Sequence, residues 1–332
     1  MRDDDRLLDL PEAEFGSGVI GVCDVCGVRQ AVVVLQKERF RLCVLDFLNK
    51  TWLKTDRSPT APPPVYRSER IWYPTEAAPG GRAPAIVLSP TRVFRHPVVL
   101  VTPDVYGITT TLLDGAIRFA REGFEVLLPD VGKTDGVGIS HHLALRAGRS
   151  LRGGVQVTAP RTARLLALYR DALRHLLGRE MVDPARAAVF GTSYGGALAM
   201  ALAAESTSLT AVALAYPVPV VPAALPDLIS APLFLVRGDG DPLAERTERQ
   251  LRASAVASTS TFGTIRGGRH GFLSRDLAAY DVAQAEDAWG QVVSFLRTRL
   301  MPAPPNPPPP PSRAALPPAP PATPRPVASS AG

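Results

Sequence analysis

Short apolar runs alternate with longer amphipathic segments along residues 70–300. The apolar runs have the length and composition of buried strands. They lie at residues 98–101, 125–128, 187–190, 211–214, 233–236 and 261–265. Apolar residues recur at helical spacing between them, at residues 112–122, 161–177, 195–205, 243–254 and 277–300. This alternation predicts an α/β fold with a mostly parallel sheet covered by helices on both faces, because each crossover must return across a face of the sheet.

Proline marks the boundaries of this predicted domain. The chain of 332 residues contains 34 prolines, about twice the usual share, and 14 of them lie in residues 301–332. We therefore predict a small N-terminal module at 1–55, a proline-rich linker at 56–68, the α/β domain at 69–300 and a disordered tail at 301–332. The tail is either an unselected extension or a docking segment for a proline-binding protein partner.

Charge and apolar patterning argue against several classes of partner. The formal net charge is +6, but only four of the 37 basic residues are lysine and the arginines are dispersed. Basic runs interleaved with aromatic residues, which a single-strand binder needs, do not occur in the sequence. We therefore predict no nucleic-acid partner, and no membrane span because a run of about 18 apolar residues is lacking. The acidic N-terminus lacks a secretory signal pattern, so a cytoplasmic location is the expectation.

A candidate nucleophile follows the predicted strand at 187–190. Residues 191–196 are Gly-Thr-Ser-Tyr-Gly-Gly, and a helix of small residues is predicted next. Gly-x-Ser-x-Gly between a strand and a helix is the nucleophile-elbow pattern, in which the serine occupies a strained turn and the glycines avoid collisions with neighbouring elements. The pattern predicts that Ser193 is a nucleophile at the start of a helix, where amide dipoles favour a developing anion.

His270 is the candidate base. A nucleophilic serine needs a general base, and with this elbow the chain order is serine, acid, histidine. His270 is the only histidine that follows Ser193 in the sequence, and it lies on a glycine-flanked loop after the predicted strand at 261–265. We therefore predict that His270 accepts the serine proton.

Two aspartates compete for the role of the orienting acid. Asp239 and Asp241 both follow the predicted strand at 233–236. Asp241 has the spacing usual for the acid and precedes Pro242, a natural first residue of a helix. The same place suits a helix N-cap, and we do not expect one carboxylate to serve fully in both roles. Asp241 is the predicted acid, with Asp239 as the alternative.

Two backbone amides are predicted to form an oxyanion hole. One belongs to Tyr194, directly after the nucleophile, and the other to the loop that follows the predicted strand at 98–101. That loop is Thr-Pro-Asp-Val-Tyr-Gly at residues 102–107, and we assign the second amide to Val105.

These motifs together resemble the dienelactone hydrolases of the α/β-hydrolase superfamily, over about residues 85–298. The resemblance rests on residues 98–107, the elbow, Gly-Asp-Gly-Asp-Pro at 238–242 and His-Gly-Phe at 270–272. It implies an α/β-hydrolase fold and hydrolysis of an ester or lactone through an acyl-enzyme, without a cofactor for catalysis. It also implies that Asp104 is the family's acidic residue beside the nucleophile.

The sequence departs from the founding members of that family in two ways. Ser193 stands where they use cysteine, so we expect the nucleophile to behave as that of a serine esterase. Their arginine for the substrate carboxylate has no clean counterpart, because Ser274 falls at that place and Arg275 follows it. Arg275 is therefore a candidate substrate-binding residue, and dienelactone itself is not the expected substrate.

An insertion at about 132–160 lies where a lid over the site would be expected. It contains Arg146 and Arg149 at helical spacing, and no carboxylate occurs between residues 136 and 170. These arginines either form a solvated helix face or bind the anionic part of a substrate.

The N-terminal module contains the three cysteines of the chain. Cys23 and Cys26 form one knuckle, and Cys43 and Asp46 repeat the same spacing. Two β-like runs, at 31–35 and 40–44, lie between and through the knuckles. Paired knuckles of this kind hold structural zinc in small ribbons, although aspartate is uncommon as the fourth ligand. A module with structural zinc and a metal-free remnant packed on the larger domain are both open interpretations.

The sequence thus predicts a serine hydrolase whose small-molecule substrate is a carboxylic ester or lactone. A peptidase similar to the prolyl oligopeptidases is one alternative, because Gly-x-Ser-Tyr-Gly-Gly occurs there too. Residues 1–65 are too short for the propeller of those enzymes, and no His-Gly-Gly segment follows the early strand. A binding or regulatory protein on the same fold is the other alternative, and the apparent triad argues against it.

Overall fold

The computed structural model describes residues 66–91, 95–131, 153–275 and 277–301 in full. In the N-terminal segment it gives the backbone of short strands, at Gly21–Val22, Gln30–Ala31, Val33–Leu35 and Phe40–Leu42. The first of these pairs antiparallel with the second, and the third pairs antiparallel with the fourth. The last two strands fall in the β-like runs predicted between the cysteine knuckles.

Ten strands and five α-helices follow residue 65 in the described ranges. The strands are β1 Tyr66–Pro74, β2 Arg82–Pro90, β3 His96–Thr102, β4 Glu125–Pro129, β5 Val155–Gln156, β6 Val182–Thr192, β7 Ala211–Ala215, β8 Val220–Val221, β9 Leu233–Gly238 and β10 Thr261–Ile265. The helices are α1 Thr110–Glu122, α2 Pro160–Leu177, α3 Ser193–Glu205, α4 Pro242–Arg252 and α5 Val282–Leu300.

Eight of these described strands form one sheet, in the order β10-β9-β7-β6-β3-β4-β2-β1. Neighbours from β10 to β4 are parallel, and β2 and β1 complete the sheet in antiparallel pairing. The predicted α/β fold with a mostly parallel sheet is therefore confirmed. The loops after β3, β6, β7, β9 and β10 meet at one edge, because parallel strands all end on the same side of the sheet.

Apolar side chains on the two faces of the sheet form two separate cores. Helices α2 and α3 cover one core, and α1 and α5 cover the other, so helices flank both faces. In the second core, Phe119, Phe190 and Trp289 form a cluster with ring centroids 5.3–5.8 Å apart. Burial of an apolar side chain of this size stabilises a fold by roughly 1.5–3 kcal/mol. None of the helices in the described ranges is long and apolar enough to cross a membrane.

The helices match the predicted ones to within two residues at each end, except at the start of α5. That helix begins at Val282 and not at residue 277, so this part of the prediction was wrong. Asp281 is its N-cap, with a carboxylate that accepts a hydrogen bond from the Gln284 amide at 2.9 Å. Residues 277–280 form a turn before the cap, although their apolar side chains continue the helical spacing.

Gly115 tests the packing of α1 against α5. A Cβ atom at this position would lie 2.7 Å from Trp289 Cζ2, which is closer than real Cβ contacts. We expect Gly115→Ala to lower the free energy of unfolding by about 1–3 kcal/mol, because the indole ring must move. Urea denaturation followed by circular dichroism measures this change.

Gly290→Ala in α5 is the matched control for that substitution. Nothing lies within 4 Å of a Cβ atom at Gly290, and alanine stabilises a helix by about 0.5–1 kcal/mol over glycine. We expect this variant to be more stable than the wild type. A Gly115→Ala variant as stable as the Gly290→Ala variant would contradict the close contact between the two helices.

Candidate active site

Ser193 lies at a sharp turn between β6 and α3. Its φ of 50° is in the left-handed region, which residues other than glycine rarely adopt. Gly191 and Gly195 permit this turn. A Cβ atom at Gly191 would lie 2.5 Å from Thr102 Oγ1, and one at Gly195 would overlap the carbonyl oxygens of Thr102 and Pro103. Both glycines are needed because β6, α3 and the end of β3 approach each other without room for side chains.

Thr102, at the end of β3, connects this turn to the neighbouring strand. Its buried hydroxyl lies 2.8 Å from the Gly195 carbonyl oxygen and 3.1 Å from that of Phe190, and it donates to this pair. The two acceptors lie on either side of Ser193 in the sequence, so one side chain holds both arms of the turn. Thr102 was not predicted from the sequence to have a role in the site. Its position at the carboxyl end of a strand is the only signal that could have indicated one.

The structure brings Ser193, His270 and Asp241 together. Ser193 Oγ lies 2.8 Å from His270 Nε2, and His270 Nδ1 lies 2.8 Å from Asp241 Oδ2. The Asp241 carboxylate is fully buried, whereas the His270 side chain is 30% exposed. Ser193 follows β6, Asp241 follows β9 and His270 follows β10, and the ends of these strands meet at one edge of the sheet. The arrangement is thus anchored at its acidic end and open to solvent at the imidazole.

Asp241 also caps helix α4. Its Oδ1 accepts hydrogen bonds from the amides of Leu243 and Ala244, both at 3.1 Å, while Oδ2 faces the imidazole. The expectation that one carboxylate would not serve in both roles was therefore wrong, because each oxygen has its own partners. The competing Asp239 accepts a hydrogen bond from the Gly267 amide at 2.8 Å and holds the loop that leads to the histidine.

The loop after β3 makes a tight turn beside the elbow. Asp104 shapes it, because its Oδ1 accepts a hydrogen bond from the Tyr106 amide at 2.8 Å. Val105 lies between these residues and packs, partly buried, against the core under α2 and α3. Tyr194 is in the first turn of α3. The two amides predicted for an oxyanion hole thus follow β3 and β6, which are neighbours in the sheet.

Buried phenols lie close to this edge of the sheet. Burial raises the pKa of Tyr216 and of Tyr169 well above the ordinary value, and the negative charge of Asp104 adds to both shifts. Burial and then Asp104 also raise the pKa of Tyr106. These phenols therefore stay neutral over the ordinary pH range.

Tyr216 adjoins the imidazole and was not predicted from the sequence. It directly follows β7, and its ring centroid lies 5.3 Å from that of His270 in an edge-to-face arrangement. The rule that sites lie at the carboxyl ends of parallel strands is the signal that could have indicated it.

Arg275, the candidate for substrate binding, is tied to α1. Its amide donates to Thr111 Oγ1 at 2.9 Å, and its guanidinium group forms an ion pair with Asp114 at 3.3 Å. The side chain is 50% exposed and its charge is compensated by Asp114. The structure therefore does not bring this guanidinium group into hydrogen-bond contact with the triad.

Several other candidate residues lie outside the described residues. They are Arg146, Arg149, Cys23, Cys26, Cys43 and Asp46. Residues 132–152 of the predicted insertion lie outside as well, whereas its last part is described and includes β5, which pairs with β8. Within the described ranges, no group of three or more histidine, cysteine or acidic side chains could hold a metal ion.

A model of the dienelactone hydrolase family matches residues 83–300, a range that contains Ser193, Asp241 and His270. The chain belongs to the dienelactone hydrolase family. The resemblance inferred from the motifs is thereby confirmed, and the match extends from β2 to the end of α5.

Two relatives of this dienelactone hydrolase family member are each less than 30% identical to it. A Synechocystis sp. protein classed as a carboxymethylenebutenolidase is 23% identical over 226 residues, which are 64% of this chain and 89% of that protein. A probable 2-oxo-3-(5-oxofuran-2-ylidene)propanoate lactonase from Bradyrhizobium sp. is 27% identical over 232 residues, which are 65% of this chain and 89% of that protein.

A solved structure shows the same fold. The protein from Klebsiella pneumoniae subsp. pneumoniae, classed as a dienelactone hydrolase, matches with a TM-score of 0.59 and 20% identity. The match covers 70% of this chain and 99% of that chain. The described domain therefore has the fold of the dienelactone hydrolases.

Asp241→Asn separates the two contacts of Asp241. Asparagine caps a helix about as well as aspartate does, so we expect the free energy of unfolding to change by less than about 1 kcal/mol. The neutral amide cannot support an imidazolium ion and favours the wrong tautomer, so kcat on an ester substrate should fall by about 10⁴-fold. Urea denaturation and initial rates measure the two effects.

Asp241→Ala is the comparison for that variant, because it removes both contacts. We expect it to be as inactive as the asparagine variant and less stable by a further ~1 kcal/mol. Equal stabilities for the two variants would contradict the cap. An asparagine variant with wild-type kcat would contradict the orienting role.

Proposed function

We propose that this protein is a serine hydrolase that cleaves a carboxylic ester or lactone through an acyl-enzyme. The observation that carries the proposal is the continuous hydrogen-bonded chain from Ser193 Oγ through the His270 ring to Asp241 Oδ2, with both distances at 2.8 Å. A hydroxyl, a base and an orienting acid in this order form the arrangement that activates a serine for attack on a carbonyl.

In the acylation step, Ser193 Oγ attacks the carbonyl carbon while its proton passes to His270 Nε2. Asp241 Oδ2 accepts the Nδ1–H hydrogen bond and stabilises the imidazolium that forms. The tetrahedral intermediate then collapses, and the imidazolium donates the proton to the leaving alkoxide oxygen. An ester releases its alcohol, whereas a lactone keeps its new hydroxyl on the acyl group.

In the deacylation step, water attacks the acyl carbonyl and gives its proton to His270. Collapse of the second intermediate breaks the bond to Ser193 Oγ, which recovers the proton, and releases the carboxylic acid. Every proton in the cycle moves between the serine, the imidazole, the substrate and water, so the proposed reaction needs no cofactor.

Backbone amides of Val105 and Tyr194 stabilise the oxyanion in this proposal. They follow neighbouring strands, and α3 directs the positive end of its dipole toward the same place. One such amide typically stabilises the transition state by roughly 2.7–4 kcal/mol. Because both donors belong to the backbone, side-chain substitutions at these positions should retain them.

Family membership and the relatives support the choice of bond. One relative is classed as a carboxymethylenebutenolidase and the other as a lactonase. The match covers 89% of the length of each relative. The charge of Arg275 is compensated by Asp114, so this guanidinium group is not left unpaired for a substrate carboxylate. We propose on these grounds that the acyl part of the substrate is uncharged.

Hydrolysis of p-nitrophenyl acetate and of dihydrocoumarin, a simple lactone, tests the proposed function. We expect turnover of at least one of them by the wild type, and a loss of more than about 10³-fold in Ser193→Ala because the acyl-enzyme cannot form. Ser208→Ala is the matched control, because Ser208 is exposed and lies on the loop after α3.

A peptide p-nitroanilide is the third substrate in that experiment. Turnover of the anilide in preference to both esters would indicate a peptidase. Rates on all three substrates equal to those of Ser193→Ala would leave a binding protein on this fold as the better hypothesis.

A further inference from the structure

Two residues other than glycine have a positive φ among the described residues: Ser193, with a φ of 50°, and Tyr216, with a φ of 38°. The elbow explains the first of them. Tyr216 belongs to no recognised motif, yet its backbone has the same kind of strain, which costs about 1–3 kcal/mol. Strain of this size persists where the surrounding structure imposes it, so its cause lies in what Tyr216 contacts.

The backbone of Tyr216 is held between the two strands that carry the nucleophile and the acid. It follows β7, which lies between β6 and β9 in the sheet. The Tyr216 amide donates to the Val236 carbonyl oxygen of β9 at 2.8 Å. Two residues later, the Val218 amide donates to the Ser193 carbonyl oxygen at 3.2 Å. The chain must turn sharply between these two bonds, which places the left-handed residue there.

The side chain of Tyr216 is directed into the site by this turn. The residue is only 2% exposed, and its ring meets that of His270 at 5.3 Å with an interplanar angle of 69°. On another side it meets Phe272 at 5.4 Å with an angle of 67°. The ring is therefore buried and packed against Phe272 as well as against the imidazole.

The imidazole needs a contact of this kind. Its two ring nitrogens each take part in one hydrogen bond, Nε2 with Ser193 and Nδ1 with Asp241. The ring is attached to the chain through the Cβ–Cγ bond, and rotation about that bond would carry both nitrogens away from these partners. A rigid ring packed against the imidazole from the side opposes this rotation, and an edge-to-face pair contributes about 0.5–1.5 kcal/mol.

We propose that Tyr216 is a positioning residue whose aromatic ring holds the His270 imidazole in the plane that joins Ser193 and Asp241. The left-handed turn after β7 presents the ring, and Phe272 packs against it. The ring is the active part in this proposal, and the hydroxyl is not. The kinetic part of the test rests on the proposed function, and the crystallographic part does not.

Tyr216→Leu and Tyr216→Phe separate the ring from the hydroxyl. In the leucine variant we expect crystals to show a rotated imidazole and a Ser193 Oγ to His270 Nε2 distance above 2.8 Å. A displacement on the order of 1 Å lowers kcat by up to about 10²-fold, and KM for p-nitrophenyl acetate should change by less than about twofold, because uniform substrate binding is unaffected. The phenylalanine variant should retain the wild-type geometry and kcat.

Phe124→Leu is the matched control for loss of a buried ring. Phe124 is fully buried and makes an edge contact with Phe119 in the core under α1. We expect this variant to be less stable than the wild type, with unchanged imidazole geometry and kcat. Tyr216→Gly serves if the leucine variant does not fold, because glycine adopts the left-handed turn without strain.

The results of these experiments test the positioning role of Tyr216 separately from the proposed ester hydrolysis. An unchanged imidazole in the leucine or glycine variant, or a phenylalanine variant as impaired as the leucine variant, would overturn the role of the ring. A rotated imidazole in a protein whose wild type cleaves no ester would support the positioning role and refute the ester hydrolase.

Discussion

The close approach of β3 to the first turn of α3 is the constraint on which the candidate site depends. At this point the neighbouring atoms leave no space for a side chain at Gly191 or Gly195. The Thr102 hydroxyl lies within hydrogen-bond distance of carbonyl oxygens on both arms of the turn. The strained φ of Ser193 persists because these contacts leave the chain no relaxed alternative. The position of the hydroxyl above the sheet is thus a property of three packed elements, and the serine alone does not determine it.

A second constraint is that the two oxygens of one carboxylate have different hydrogen-bond partners. Asp241 begins α4 with one oxygen and faces the imidazole with the other. The amides that it caps hold the carboxylate in place, so the orienting group is itself oriented by a helix. A fully buried carboxylate thus has hydrogen-bond partners for both of its oxygens.

The sequence was most informative where function depends on local chain geometry. Ser193 and His270 could be identified because glycines and strand ends surround them within a few residues. Thr102 and Tyr216 could not, because their partners are remote in sequence; Thr102, for example, meets acceptors 88 and 93 residues away. The start of α5 was misplaced for a related reason. Apolar spacing continues through residue 277, but the cap at Asp281 decides where the helix begins.

The strand order has a consequence for how the candidate site loses its geometry when the protein is warmed. β10, whose loop carries His270, is the edge strand of the sheet and pairs only with β9 among the described strands. Ser193 and Asp241 follow interior strands, which have neighbours on both sides. Edge strands open locally at a lower free energy than the interior of a sheet. Local opening of the edge strand β10 would therefore move His270 away from Ser193 while the core is still folded. Inactivation on warming should then precede unfolding.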